Sequence, residues 1–157
     1  WLLKDFKGGR LLDLGCGVSP LALKAAHNFK DSEVYALDFA DVYIEMINWI
    51  MINCSADKVN YTSGRVEKTS YEDKFFDYIV LGELLEHCED PHIVIAEVKR
   101  ILKDDGLIAI STPYNETEET HKEKNHIWGI SEEDIRSLVN VKQLDVVGRC
   151  ILCIATK

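Results

Sequence analysis

Short apolar runs alternate with amphipathic stretches along this chain, and the two periods mark out the elements in order. Arg10-Leu11-Leu12-Asp13-Leu14 is an apolar run ending in Gly15-Cys16-Gly17, the pattern of a buried strand followed by a tight turn. Ser19-Pro20 supplies an N-cap and a first-turn proline for a helix through about Asn28. Residues 33–37 predict a second strand, and Asp41 caps an apolar helix through about Asn53. Residues 59–62 predict a third, weaker strand and residues 76–81 a strongly apolar fourth. Asp90-Pro91 repeats the cap-and-proline signal, opening a helix whose Ile93, Val94, Val98, Ile101 and Leu102 form one apolar face and which Gly106 stops. A fifth strand over residues 107–110 is closed by Ser111-Thr112-Pro113, and Ser131 with Asp134 has the form of a capping box for a helix through Val139. Residues 144–147 and 150–156 read as two strands separated by Gly148-Arg149, an antiparallel hairpin at the sheet edge. Strands alternating with helices at this spacing predict the α/β class, a mostly parallel sheet with helices on both faces. No internal repeat, Pro/Ser-rich linker or shift of composition divides residues 1–157, so a single domain is expected.

Composition narrows the class of function. The 157 residues carry 27 Asp and Glu against 18 Lys and Arg, a formal net charge of −9, with 46% apolar and 29% charged residues. That is globular composition; it excludes disordered and low-complexity readings, and the acidic balance argues against nucleic acid or an anionic membrane surface as partner. The richest apolar run, residues 42–52, contains Glu45 and Asn48 and is too short for a bilayer span. The opening residues lack the basic start and long apolar stretch of a signal peptide, so a soluble, cytoplasmic chain is expected. Five cysteines, Cys16, Cys54, Cys88, Cys150 and Cys153, are an odd number without a small-scaffold spacing, which predicts reduced thiols. Cys150 and Cys153 have redox or zinc spacing, but they sit in an apolar alternating run with no second pair and no helix following. Core cysteines are the expectation.

The unusual polar residues fall at the carboxyl ends of strands, where open α/β sheets bind ligands. Gly15 and Gly17 let the backbone approach a ligand, and the helix that follows offers free N–H groups. Asp38 closes the second strand, where a carboxylate can accept hydrogen bonds from ribose hydroxyls. Asp13 stands inside an apolar run, and a buried carboxylate without partners is costly. A dinucleotide fingerprint needs a third glycine three residues after Gly17; Pro20 stands there, which disfavours a nicotinamide oxidoreductase and suits a nucleoside without a diphosphate.

With these features the chain resembles the class I S-adenosylmethionine-dependent methyltransferases, of the broad type that includes the ubiquinone-pathway enzymes. The resemblance runs from Gly9 to about Thr156. It rests on residues 11–17, on Val34-Tyr35-Ala36-Leu37-Asp38, on residues 76–87 ending in Gly82-Glu83-Leu84-Leu85-Glu86-His87, on Asp90-Pro91, and on residues 102–113. It implies a Rossmann-like, mostly parallel seven-stranded sheet with an antiparallel C-terminal hairpin strand. It also implies S-adenosyl-L-methionine as cofactor. On that resemblance Asp13, Gly15, Cys16 and Gly17 line the methionine part, Asp38 holds the ribose, and Phe39 packs on adenine. Arg65 and Val66 occupy the adenine edge, while Leu81, Gly82 and Glu83 lie beneath the methionine moiety. Two residues depart from the family pattern: Ser19 stands where a third glycine is common, and Arg65 replaces the usual acidic partner of the adenine amino group. Recognition there shifts to the Val66 backbone. The family usually has a helix before the first strand as a lid; with strand one beginning near Arg10, that lid is expected to be absent or truncated here, or the domain to be cut from a longer protein.

The acceptor is expected to be a small molecule methylated at oxygen, nitrogen or carbon. A base is needed only where the acceptor must lose a proton, and His87, His126 and Glu83 are the candidates. Glu83, Glu86, His87 and His126 also form a candidate set for a divalent metal, as in the methyltransferases of small-RNA ends, which Thr112-Pro113-Tyr114-Asn115 resembles as well. Against an RNA acceptor, residues 115–134 hold seven acidic residues and two lysines. A non-catalytic cofactor-binding or scaffold subunit is the remaining alternative.

Overall fold

The computed structural model describes residues 1–18, 20–43, 45, 46, 49, 59–114, 126, 127 and 129–157. Seven strands form one sheet: β1 (Arg10–Leu14), β2 (Glu33–Asp38), β3 (Asn60–Ser63), β4 (Phe76–Gly82), β5 (Leu102–Pro113), β6 (Asn140–Val147) and β7 (Cys150–Thr156). Their order is β3-β2-β1-β4-β5-β7-β6. The first five pair in parallel, while β7 pairs antiparallel to β5 and β6. The α/β architecture is therefore the expected one, with the hairpin at one edge. The helices are α1 (Leu21–Asn28), α2 (Pro91–Ile101) and α3 (Glu132–Leu138), and a 3-10 turn, Leu85–His87, lies between β4 and α2.

Strand alternation divides the core between the two faces. Leu12, Leu14, Ile79, Leu81, Ile108 and Ile110 pack with Val94, Val98 and Ile101 of α2 and Ile135 and Leu138 of α3. Leu11, Tyr78, Val80 and Ala109 pack with Ala22, Ala25 and Ala26 of α1 and with Phe6. Residues ahead of β1 join the second face: the Tyr78 hydroxyl donates to the Leu2 carbonyl at 2.9 Å.

Local signals act largely as the pattern predicts. Asp90 N-caps α2, accepting from the His92 amide at 2.8 Å with Pro91 as first residue. Ser131 and Asp134 exchange both bonds of a capping box at the start of α3. Ser19 lies outside the described residues, and Pro20 precedes α1 rather than opening its first turn, with no side-chain cap. Of the helix expected over 41–53, residues 41–43, 45, 46 and 49 are helical and the rest lie outside the described residues.

Gly106 does not stop α2. That helix ends at Ile101, and Gly106 lies inside β5, where the register against β4 jumps from Phe76↔Leu102 to Tyr78↔Leu107. A Cβ there would come within 2.7 Å of the Leu102 side chain and 3.1 Å of the Asp77 carbonyl, so the glycine serves close packing of the bulged strand. Among the cysteines, Cys16, Cys88 and Cys153 are buried, whereas Cys150 is only half-buried, at the start of β7. Its thiol points toward Glu83 Oε1 at 3.7 Å. Cys54 lies outside the described residues.

Candidate active site

Strand β1 lies between β2 and β4, so the chain reverses direction across the sheet at its carboxyl end, where doubly wound folds open a crevice. Asp13 of β1 pairs with Ala36 of β2 in register, and Asp38, two residues further on, shares its face of the sheet. Both carboxylates thus point toward the α1 side.

The corner after β1 is tied to β2. The amides of Gly15 and Cys16 donate to the Leu37 carbonyl at 2.8 and 3.1 Å, and Gly15 has φ +71°. A Cβ on Gly15 would meet the Leu84 side chain at 2.6 Å. Gly17, φ +49°, donates its amide to Asp38 Oδ2 at 2.8 Å, and Ala40 donates to Oδ1 at 3.0 Å. Asp38 therefore faces the corner with both oxygens held, while its own carbonyl accepts from Gly64 at 2.9 Å.

Under the corner the polar groups are buried and incompletely paired. Asp13 is 3% exposed, and its Oδ2 has no hydrogen-bond partner among the described residues. Burial pushes its carboxyl up to about 7; an amide hydrogen bond from Ala22 opposes this and the charge of Asp38 adds to it. Burial likewise pushes the Cys16 thiol up to about 12, with Asp13 and Asp38 contributing. The Tyr61 hydroxyl, buried without a described partner, is raised by burial and then by Cys16 and Asp13. The thiol and phenol therefore stay neutral behind Gly15 and Gly17, and the negative charge there is that of the Asp38 and Asp13 carboxylates.

The cleft itself has a volume of about 520 Å³. It brings together Gly15, Gly17, Asp38, Phe39, Arg65, Val66 and Glu83 of the residues named from sequence, and His87 from the acceptor side. Phe39 is 76% exposed at its mouth, and Arg65 pairs with Glu67 at 3.0 Å. Asp13 and Cys16 lie behind the wall; Leu81 is fully buried, and Gly82 is not on the lining. Tyr43, Glu67, Leu84, Cys88, Glu89 and Ile127 complete the surface, and sequence reasoning assigned none of them to the site. Glu67 stands two residues beyond Arg65, in the turn that follows β3; the others depend on how the turns close.

Glu83 leaves β4 with φ +52°, its amide held by the Ser111 carbonyl at 2.9 Å. This left-handed conformation is uncommon for a side chain of its size and turns the chain into the 3-10 turn. There Glu86 is 1% exposed, accepts from the Thr112 hydroxyl at 3.1 Å through Oε2, and leaves Oε1 without a partner among the described residues. Burial raises its carboxyl to about 7; Glu83 adds to the rise, while the Thr112 bond and His126 oppose it. The Ile127 amide donates to the Glu86 carbonyl at 2.7 Å, which brings His126 against His87, ring centres 4.7 Å apart at 83°. Ligand atoms of Glu86, His87 and His126 lie within 4.8 Å of one another; Glu83 is outside that group.

A model of the methyltransferase domain family matches residues 2–148. The chain belongs to that family, as a class I S-adenosylmethionine-dependent methyltransferase domain. It is 32% identical over 109 residues to the ubiquinone biosynthesis O-methyltransferase of Xanthomonas oryzae pv. oryzae (strain PXO99A), covering 69% of this chain and 44% of that one. It is 30% identical over 123 residues to (S)-coclaurine N-methyltransferase of Papaver somniferum, covering 77% and 34%. The chain thus spans less than half the length of these curated relatives. Among solved structures, geranyl diphosphate C-methyltransferase of Streptomyces coelicolor A3(2) superposes with a TM-score of 0.84 at 14% identity, covering 96% of this chain and 75% of that one. That enzyme was crystallised with Mg2+, geranyl diphosphate and S-adenosyl-L-homocysteine. No described helix is long and apolar enough to cross a membrane.

Proposed function

We propose that this domain transfers the methyl group of S-adenosylmethionine to an oxygen, nitrogen or carbon of a small-molecule acceptor. The observation that carries the reading is Asp38, fixed against the Gly15–Gly17 corner at the mouth of a 520 Å³ cleft. Each of its oxygens accepts one backbone N–H and keeps lone-pair capacity for ribose hydroxyls. Phe39 offers an exposed ring face for adenine, and Val66 its backbone at the adenine edge, beside Arg65. The unpartnered oxygen of Asp13 and the charge of Asp38 suit the positive methionine end, which Gly15 and Gly17 leave room to approach. Relatives named for O-, N- and C-methylation share the fold, so the fold does not select the atom.

When bound, the cofactor supplies an electrophilic methyl carbon on a sulfonium. The chain's task is to hold the acceptor in line and keep water out. Where the acceptor is a hydroxyl or amine, Glu83, His87 or His126 takes the proton, since all three stand at or beside the cleft. With methyl-tritiated S-adenosylmethionine and a metabolite extract, label is expected in the small-molecule fraction. Cofactor binding without any transfer would contradict catalysis and leave a cofactor-binding subunit.

A second reading, metal-assisted transfer, is favoured by the Glu86, His87 and His126 grouping and by the unpartnered Glu86 oxygen within it. One carboxylate and two imidazoles suit a divalent cation of borderline character such as Mn2+. On this reading a chelator lowers transfer by about tenfold or more, Mn2+ restores it, and Glu86→Gln removes the restoration. Undiminished transfer in chelator excludes it.

A further inference from the structure

Isolated exposed apolar side chains are normal on a protein surface; a run of them on one face is not. Among the described residues, Phe39 is 76% exposed, Val42 56%, Met46 48% and Trp49 65%, all within one segment. The described residues of 41–49 are helical, and Val42, Met46 and Trp49 have the spacing that puts side chains on a single helix face. They form a solvent-facing apolar stripe on a helix that also carries Tyr43 on the wall of the cofactor cleft. The usual arrangement turns such a stripe inward against the core.

Charge says what covers it. Asp41, which accepts from the Ser63 hydroxyl, and Glu45 are exposed beside the stripe, and no lysine or arginine falls within residues 39–49. A second copy of this face would bring like charge onto like charge, and the chain as a whole carries −9. An anionic membrane is repelled for the same reason. We propose that Val42, Met46 and Trp49 are the docking face for an amphipathic helix of a partner protein, apolar on one side and flanked by Lys or Arg. The occupant lays its apolar side along the stripe, and its cations meet Asp41 and Glu45 at the rim. This goes beyond methyl transfer and does not depend on it.

The test uses a fluorescently labelled synthetic peptide of four helical turns, Leu on one face and Lys on the other, and a counterpart with Glu in place of Lys. Anisotropy is expected to show one saturable site for the Leu/Lys peptide, with a dissociation constant on the order of 10 μM, and no binding of the Leu/Glu peptide. Trp49→Lys, and separately Met46→Lys, should weaken binding by about tenfold or more. Val147→Lys adds the same charge on the exposed face of β6, at the opposite edge of the sheet, and should leave binding unchanged. Circular dichroism confirms that each variant folds. Equal binding by the Trp49 and Val147 variants, or equal binding of both peptides, overturns the proposal. So does a wild-type dimer in sedimentation that Trp49→Lys dissolves, which makes a second copy the occupant. Tight binding of phosphatidylserine vesicles that Trp49→Lys abolishes overturns it in favour of a membrane.

Discussion

Asp38→Ala is expected to lower the affinity for S-adenosylhomocysteine by about 100-fold, the loss of two charge-assisted hydrogen bonds to a ligand. The substitution also leaves the Gly17 and Ala40 amides without the oxygens they now hold at 2.8 and 3.0 Å, so the corner loses its fixed shape. Asp38→Asn keeps one acceptor oxygen and puts an amide donor against one of those N–H groups. Its affinity should fall between the other two. Calorimetric titration at one pH checks the order wild type, Asn, Ala. Equal affinities would remove Asp38 from the site, and a folded state intact by near-ultraviolet circular dichroism separates a binding loss from unfolding.

Asp13→Asn should act on stability and on binding in opposite directions. The Asp13 carboxyl is raised from 3.8 to about 7 in the folded chain, chiefly by burial. A folded-state pKa above the unfolded one means that stability is fully present below about pH 4. It declines as pH rises through the window and is lost once pH passes about 7. Ionising this carboxyl in its buried site costs roughly 4 kcal/mol of stability at pH 8. Asp13→Asn removes that cost, so its urea midpoint is expected to rise relative to wild type at pH 8 and to match it near pH 4. Binding runs the other way. The ionised Asp13 favours a cationic ligand in front of Gly15 and Gly17, so wild-type affinity should strengthen between pH 6 and pH 8 with release of a proton. The variant should lose that component, which titrations in buffers of different ionisation enthalpy read directly. Glu86 also lies near 7, so a pH dependence that survives in Asp13→Asn belongs to the 3-10 turn. An unchanged stability profile in the variant would show that Asp13 is not the buried charge.

The sheet was readable because its strands carry their own signals: apolar runs ending in glycine or aspartate, proline-marked helix starts, and the Ser131–Asp134 box. The Asp13-to-Gly17 corner and Asp38 were readable for the same reason, since parallel strands bring their carboxyl ends to one side. Gly106 misled because glycine after an amphipathic helix usually marks its end. Here the required feature was close packing against Leu102 and Asp77, which depends on strand register rather than on local sequence. The far wall of the cleft was hidden in the same way. Glu89, Cys88 and Ile127 reach it only because Glu83 turns left-handed and Ile127 bonds back to the Glu86 carbonyl. Glu83 shares the Glu-x-x-Glu-His spacing, yet it stands apart from the Glu86, His87 and His126 group, because that left-handed residue sends it elsewhere. The exposure of Val42, Met46 and Trp49 was not readable at all: an apolar helical pattern does not say which of its faces meets the core.

On the proposed function, a carboxylate and a glycine corner at neighbouring strand ends grip an adenosyl sulfur ligand. Isothermal titration of the wild-type chain with S-adenosylhomocysteine at pH 8 tests it most directly. One saturable site per chain, competed by S-adenosylmethionine and not by NADH, is the expected result. No heat of binding at millimolar ligand, from a chain that melts cooperatively, would contradict it.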